Sequence, residues 1–123
     1  MSAEGKVNAL VTLTGLGKDW EFPITFIAGT TPTAGCLQYR TQAVADTEEA
    51  LDLGDVTTAE IIIIKCITND VDIDLDFSVT FDADMTVNEG TSAIITNPAG
   101  SVYIKNNDAG EVSVVCYGVI GIT

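Results

Sequence analysis

The chain has no histidine, and only five lysines and arginines stand against eighteen aspartates and glutamates in 123 residues. The first absence removes the commonest general base, most zinc sites and every Ser-His or Cys-His catalytic arrangement. The second excludes nucleic acid as a partner, because counterion release needs clustered cations, and it disfavours an anionic membrane surface. No apolar run approaches the roughly 20 residues of a membrane span. The N-terminal segment 1–7 lacks a basic region followed by an apolar core, so no secretory signal is expected, and synthesis and folding are expected in a cytoplasm. Three cysteines, Cys36, Cys66 and Cys116, are an odd number at distant spacings, each inside an apolar stretch. They are expected to be small buried hydrophobes, with one disulfide as the alternative. No Walker motif occurs, and Gly15-Leu16-Gly17 lacks the further glycine and helix of a nucleotide fingerprint.

What is present is strand. Apolar residues alternate over 6–14 (Val7, Ala9, Val11, Leu13) and again over 20–28 (Phe22, Ile24, Phe26). Pro23 removes one ladder hydrogen bond, which predicts an edge or bulged strand there. Further strands are predicted over 36–45, 91–96, 101–105 and 111–120, separated by turn clusters such as Asn97-Pro98-Ala99-Gly100. Residues 106–110 read as the loop of a hairpin joining the last two. The stretch 46–56 is expected to be a turn and a short strand, with a single helical turn as the alternative. This is the pattern of one all-β domain over 1–123, an antiparallel β-sandwich of eight or nine strands.

The most informative stretch is Glu60–Phe81. It reads as a hairpin turning at Thr68-Asn69-Asp70. Its first strand carries four consecutive isoleucines, Ile61 to Ile64, and so is apolar on both faces. The strand over 111–120 is also apolar on both. A two-layer sandwich needs only one apolar face per strand, and an exposed second face is a pairing hazard. A cover is therefore expected: a loop, the N-terminal segment, or a neighbouring subunit, the last being favoured. Interface contacts are expected through Ile62, Ile64, Val115 and Tyr117, with Trp20 beside them.

The second strand of the hairpin alternates Ile73, Leu75, Phe77, Val79 and Phe81 with Asp72, Asp74, Asp76, Ser78 and Thr80. An extended strand points the three aspartates the same way at roughly 7 Å intervals. A calcium loop of the EF-hand type would need glycine and glutamate where Leu75 and Phe81 stand. The expectation is a solvated strand face and no cofactor. A calcium ion held weakly by Asp72, Asp74 and Asp76 is the alternative. From Asp46 to Glu89 thirteen acids face one cation, Lys65. Those carboxylates fall in turns and on outward strand faces, not in an apolar pocket of the kind that tunes a catalytic acid. No enzymatic activity is expected.

The segments Ile62–Asp70 (IIIKCITND), Val87–Gly90 (VNEG), Ala93–Ile95, Ser101–Lys105 (SVYIK) and Val112–Val119 occur in an order that resembles small tailed-bacteriophage virion proteins. The likeness spans residues 57–120. It departs at Cys66, where asparagine is usual, and in the order of Glu89 and Gly90. The resemblance implies a jelly-roll-like sandwich in the virion, either a capsid decoration (cement) protein or a tail component. It implies a homo-oligomer, with a trimer favoured, docked on the major capsid protein or another virion protein. Met1–Lys6 would then be a free N-terminal arm. The competing expectation is a carbohydrate- or surface-binding module, as on a phage fibre or adhesin.

Overall fold

A computed structural model describes residues 3–42, 47–107 and 110–123. Ten strands carry the fold, and no helix occurs among the described residues: β1 (Lys6–Leu13), β2 (Trp20–Ile27), β3 (Ala34–Gln42), β4 (Glu49–Ala50), β5 (Thr58–Thr68), β6 (Val71–Phe77), β7 (Met85–Val87), β8 (Ser92–Thr96), β9 (Ser101–Asn106) and β10 (Ser113–Ile122). The all-β, antiparallel expectation holds. Eight of the strands form two four-stranded sheets, ordered β3-β10-β5-β8 and β4-β9-β6-β7. The pairing is nested: β3 lies beside β10, β4 beside β9, β5 beside β8 and β6 beside β7. Strands β1 and β2 form a separate two-stranded sheet.

Two expected hairpins are arches instead. Strands β5 and β6 belong to opposite sheets, as do β9 and β10. At the first crossing Asn69 takes a left-handed conformation (φ 55°), which asparagine tolerates. Its side-chain amide donates to the Val112 carbonyl (2.9 Å), while the Cys66 thiol donates to the Asn69 carbonyl. Every connection from β3 to β10 except β6–β7 passes between sheets, which wraps the chain around one core.

That core is filled from alternate positions: Ile62, Ile64 and Cys66 on β5, Val115, Tyr117 and Val119 on β10, Val71 and Ile73 on β6, Val102 and Ile104 on β9. The Tyr117 hydroxyl donates to the Asp52 carbonyl (2.7 Å), which satisfies the one polar atom the ring carries inside. The cysteines are free thiols. Burial, then the Asp70 and Glu89 charges, push the Cys66 thiol pKa up, so it sits in the core as a neutral hydrophobe.

The sequence segment 46–56 contributes β4, then Leu51 and Val56 as buried core residues, and no helical turn among its described positions. Predicted strand residues 43–45 lie outside the described residues, as do Met1 and Ser2 of the proposed free arm. The described part of that segment is not free: Gly5 is buried against Ile120 and its carbonyl accepts from the Ala28 amide (2.9 Å).

Candidate functional site

The strongest candidate surface is the β1–β2 hairpin. Its register places Val7 opposite Phe26, Ala9 opposite Ile24, Val11 opposite Phe22 and Leu13 opposite Trp20. Side chains directly opposite share a face, so one face of the hairpin is apolar along its whole length. A sandwich strand would bury such a face. Here Phe22 is 61% exposed and Trp20 45%, and neither strand packs substantially on another element. The reverse face is mixed, pairing Lys6 with Ile27, Asn8 with Thr25, Leu10 with Pro23 and Thr12 with Glu21. Pro23 is tolerated because both strands of a two-stranded sheet are edges.

The hairpin is an arm about 26 Å long, eight residues at about 3.3 Å each. Its tip bends through Gly15 and Gly17, both at positive φ (88° and 100°), with the Gly15 amide held by the Asp19 carboxylate. Its base is tied to the body. Gly5 meets Ile120, and the buried Glu60 carboxylate on β5 accepts from the Thr30 hydroxyl and amide just beyond β2. A two-stranded hairpin alone is marginal in water. An arm with an open apolar face therefore gains its stability when that face is covered.

The second surface is the outer face of the β3-β10-β5-β8 sheet. The ladder places Leu37, Gly118, Ile63 and Ile94 in one row across the four strands, and Tyr39, Cys116, Lys65 and Ser92 in the next. Leu37 is 75% exposed and Tyr39 74%. The missing side chain at Gly118 leaves a shallow groove between Leu37, Ile63 and Cys116. At one end of this face the arm base lies against Ile120, and Ile61 is buried there outside the main core. The isoleucine run thus has an exposed second face, covered in part by the N-terminal segment.

The expected interface residues divide accordingly. Trp20 is exposed on the arm. Ile62, Ile64, Val115 and Tyr117 are in the core, and the outward positions are Ile63, Lys65, Cys116 and Gly118. The phase is a correction to the expectation. A run of four isoleucines has no phase of its own; Lys65, in step with Ile61 and Ile63, was the residue that marked the outer face.

The aspartates also depart from a solvated ladder. Strand β6 ends at Phe77 after an irregularity between Asp74 and Phe77, and Val79 is 87% exposed. Phe77 stacks on Tyr103 outside the core (3.8 Å between ring centroids), and Phe81 lies under the Lys105 ammonium. The loop after β6 folds back over Asp74. The buried Asp74 carboxylate accepts from the amides of Asp76 (3.1 Å) and Asp82 (3.0 Å). Asp72 accepts from the Thr86 hydroxyl and the Asn107 amide instead. Carboxylates of Asp74, Asp76 and Asp84 come within 4.8 Å of one another, without Asp72. Asp84 meanwhile holds the Leu75 amide (2.8 Å). The Asp82 amide, then the Asp76 amide, hold the Asp74 pKa below the usual carboxylate value. The pKa of Asp76 is raised, first because its protonated form donates to Asp74 and next by the Asp84 charge. These donors make the cluster a loop staple in its own right.

A cleft at one end of the sandwich runs between β5 and the 98–101 turn, with Thr57, Thr58, Ala59, Ile62, Pro98 and Ser101 in its wall. Among the described residues no titratable side chain lines it. In comparisons with known proteins, no family model, no curated protein and no solved structure matches the chain. The functional reading accordingly rests on the surfaces.

Proposed function

We propose that the protein is a non-enzymatic structural protein that self-associates and docks on a larger protein lattice, as a capsid decoration (cement) protein does in a virus particle. The carrying observation is the arm: an apolar face about 26 Å long, held out from an acidic body. Contiguous apolar surface of this kind marks an interaction site in a soluble protein. The nested pairing of two four-stranded antiparallel sheets supports a jelly-roll-like reading, the arrangement that the likeness of residues 57–120 to phage virion proteins implies. In this reading the protein acts by adding buried area across subunit joints, so that a shell resists internal pressure. The acidic loops and the outer face of the β4-β9-β6-β7 sheet stay in solvent. Co-sedimentation with assembled capsids tests the docking. Binding accompanied by a higher capsid disruption temperature supports it; no binding to any assembled capsid or tail refutes it.

One observation favours a second reading, a carbohydrate-binding module. Trp20 stands at the arm tip beside Asp19 and Glu21, in a shallow recess with Thr12 and Thr14. An aromatic platform flanked by carboxylates suits a sugar ring. Saturable quenching or a blue shift of the single tryptophan's fluorescence on adding oligosaccharide supports that reading, and an unchanged spectrum removes it.

A further inference from the structure

We infer that the apolar face of the β1–β2 arm of one molecule packs on the outer face of the β3-β10-β5-β8 sheet of a second copy, head to tail. The inference rests on the self-association reading and names its two halves.

Both halves are present in every chain; among the described residues nothing covers the arm's apolar face, and the sheet face is covered only at its Ile120 end by the N-terminal segment. The arm offers four apolar cross-strand pairs, and the sheet offers the row Leu37–Gly118–Ile63–Ile94. Their dimensions agree. Four strands span roughly 19 Å at 4.8 Å spacing, wide enough to seat a two-stranded ribbon. Gly118 makes the receptor concave: a Cβ added there would meet Ile63 at 3.5 Å and Leu37 at 3.7 Å, so those two side chains flank a shallow dip over the bare backbone. Trp20, Phe22 and Phe26 are the aromatic rings on the arm's open face, with Trp20 and Phe22 the more exposed.

Charge selects this contact over others. Eighteen acids repel one copy from another over most of the surface. The two rows that form the receptor hold no Asp or Glu, and they hold Lys65, which makes no ion pair among the described residues. Asp19, next to Trp20 at the arm tip, supplies a carboxylate for that ammonium, while Glu21 lies on the arm's reverse face. An arm face about 26 Å long and two strands wide covers about 250 Å². Head to tail, each subunit gives one arm and receives another through two separate contacts, each at the small end of interface sizes, so assembly is expected to depend on concentration and to gain from closing a ring. A head-to-tail contact closes into a ring or propagates, so a trimer is an available outcome and a two-fold dimer is not required.

Complementation with the full-length chain tests it. Phe22→Glu spoils the arm and keeps the sheet; Ile63→Glu spoils the sheet and keeps the arm. Each variant alone is expected to sediment as a monomer with the parent's near-ultraviolet dichroism and melting curve, and their 1:1 mixture to regain a heterodimer. Gly118→Val, whose added Cβ meets only ordinary contacts within the chain, is expected to weaken assembly at least tenfold, with an unchanged melting curve as the check on the fold. If Ile63→Glu and Gly118→Val assemble like the parent while Phe22→Glu does not, the arms pair with each other, which overturns the inference but not self-association. A parent that is monomeric yet co-sediments with capsids places the arm on the lattice, which overturns the inference and leaves the docking. A parent that does neither overturns both.

Discussion

Ile62 and Ile63 are neighbours in sequence with opposite fates, and that difference is open to measurement. Ile62 is fully buried, so Ile62→Ala is expected to cost about 2–5 kcal/mol in urea unfolding, the usual range for a large core truncation. Ile63 is exposed in the monomer, so Ile63→Ala is expected to cost under about 0.5 kcal/mol at concentrations where the chain is monomeric. Equal costs would contradict the assigned phase. The aspartate cluster gives a pH signature. A carboxyl whose folded pKa is lowered stabilises the fold above its unfolded pKa, and that contribution is lost as pH falls through the folded value. Asp74 is of this kind, so Asp74→Asn is expected to lower Tm at pH 7 and to matter progressively less in acid. Asp76 is the reverse case. Its raised pKa means that its charge works against the fold at neutral pH, so Asp76→Asn is expected to raise Tm at pH 7, with the gain vanishing once the parent's Asp76 is protonated. Thermal melts of both variants from pH 3 to 7 check the two signs together.

At the scale of elements, strand β10 shows where glycine is required and where it is merely present. The β5–β10 register slips between Ile120 and Gly121, and a Cβ at Gly121 would lie 2.1 Å from the Thr58 carbonyl oxygen. Gly121→Ala is therefore expected to disrupt the end of the sheet and lower Tm sharply. Gly118→Ala meets nothing closer than 3.5 Å and is expected to be neutral or to stabilise by up to about 1 kcal/mol, as replacement of a strand glycine allows. A matched pair of melting curves decides. Strand existence was legible in the sequence because alternation and turn residues are local properties. Sheet membership was not. The turn at Thr68-Asn69-Asp70 is compatible with a hairpin or an arch, and only the long-range pairing of β5 with β10 and β8 decides between them. The arm escaped for a related reason. Val7, Val11, Phe22 and Phe26 alternate as sandwich strands do, and nothing local says that no second sheet lies over them. The burial of Asp74 depends on residues 78–84 folding back, against the alternation that would have continued the strand to Phe81.

The whole molecule has two unlike kinds of surface: a sheet face and an arm face that are apolar and open, and an acidic remainder that carries most of a formal charge of -13. Such a molecule is kept apart by charge and drawn together by apolar area. Raising salt from 0.1 M to 1 M shortens the Debye length from about 10 Å to about 3 Å, which screens the repulsion between copies and leaves the apolar contact intact. Assembly is therefore expected to strengthen with salt, whereas a contact made mainly of ion pairs would weaken; light scattering across that range separates the two. The central claim, that the open apolar faces exist to be covered by other protein, is tested most directly by sedimentation velocity of the parent chain at micromolar concentration. The account predicts a boundary faster than that of a 12.9 kDa particle, with the Phe22→Glu variant returning to the monomer. A single monomeric boundary for the parent, unchanged up to 1 M salt, would contradict it.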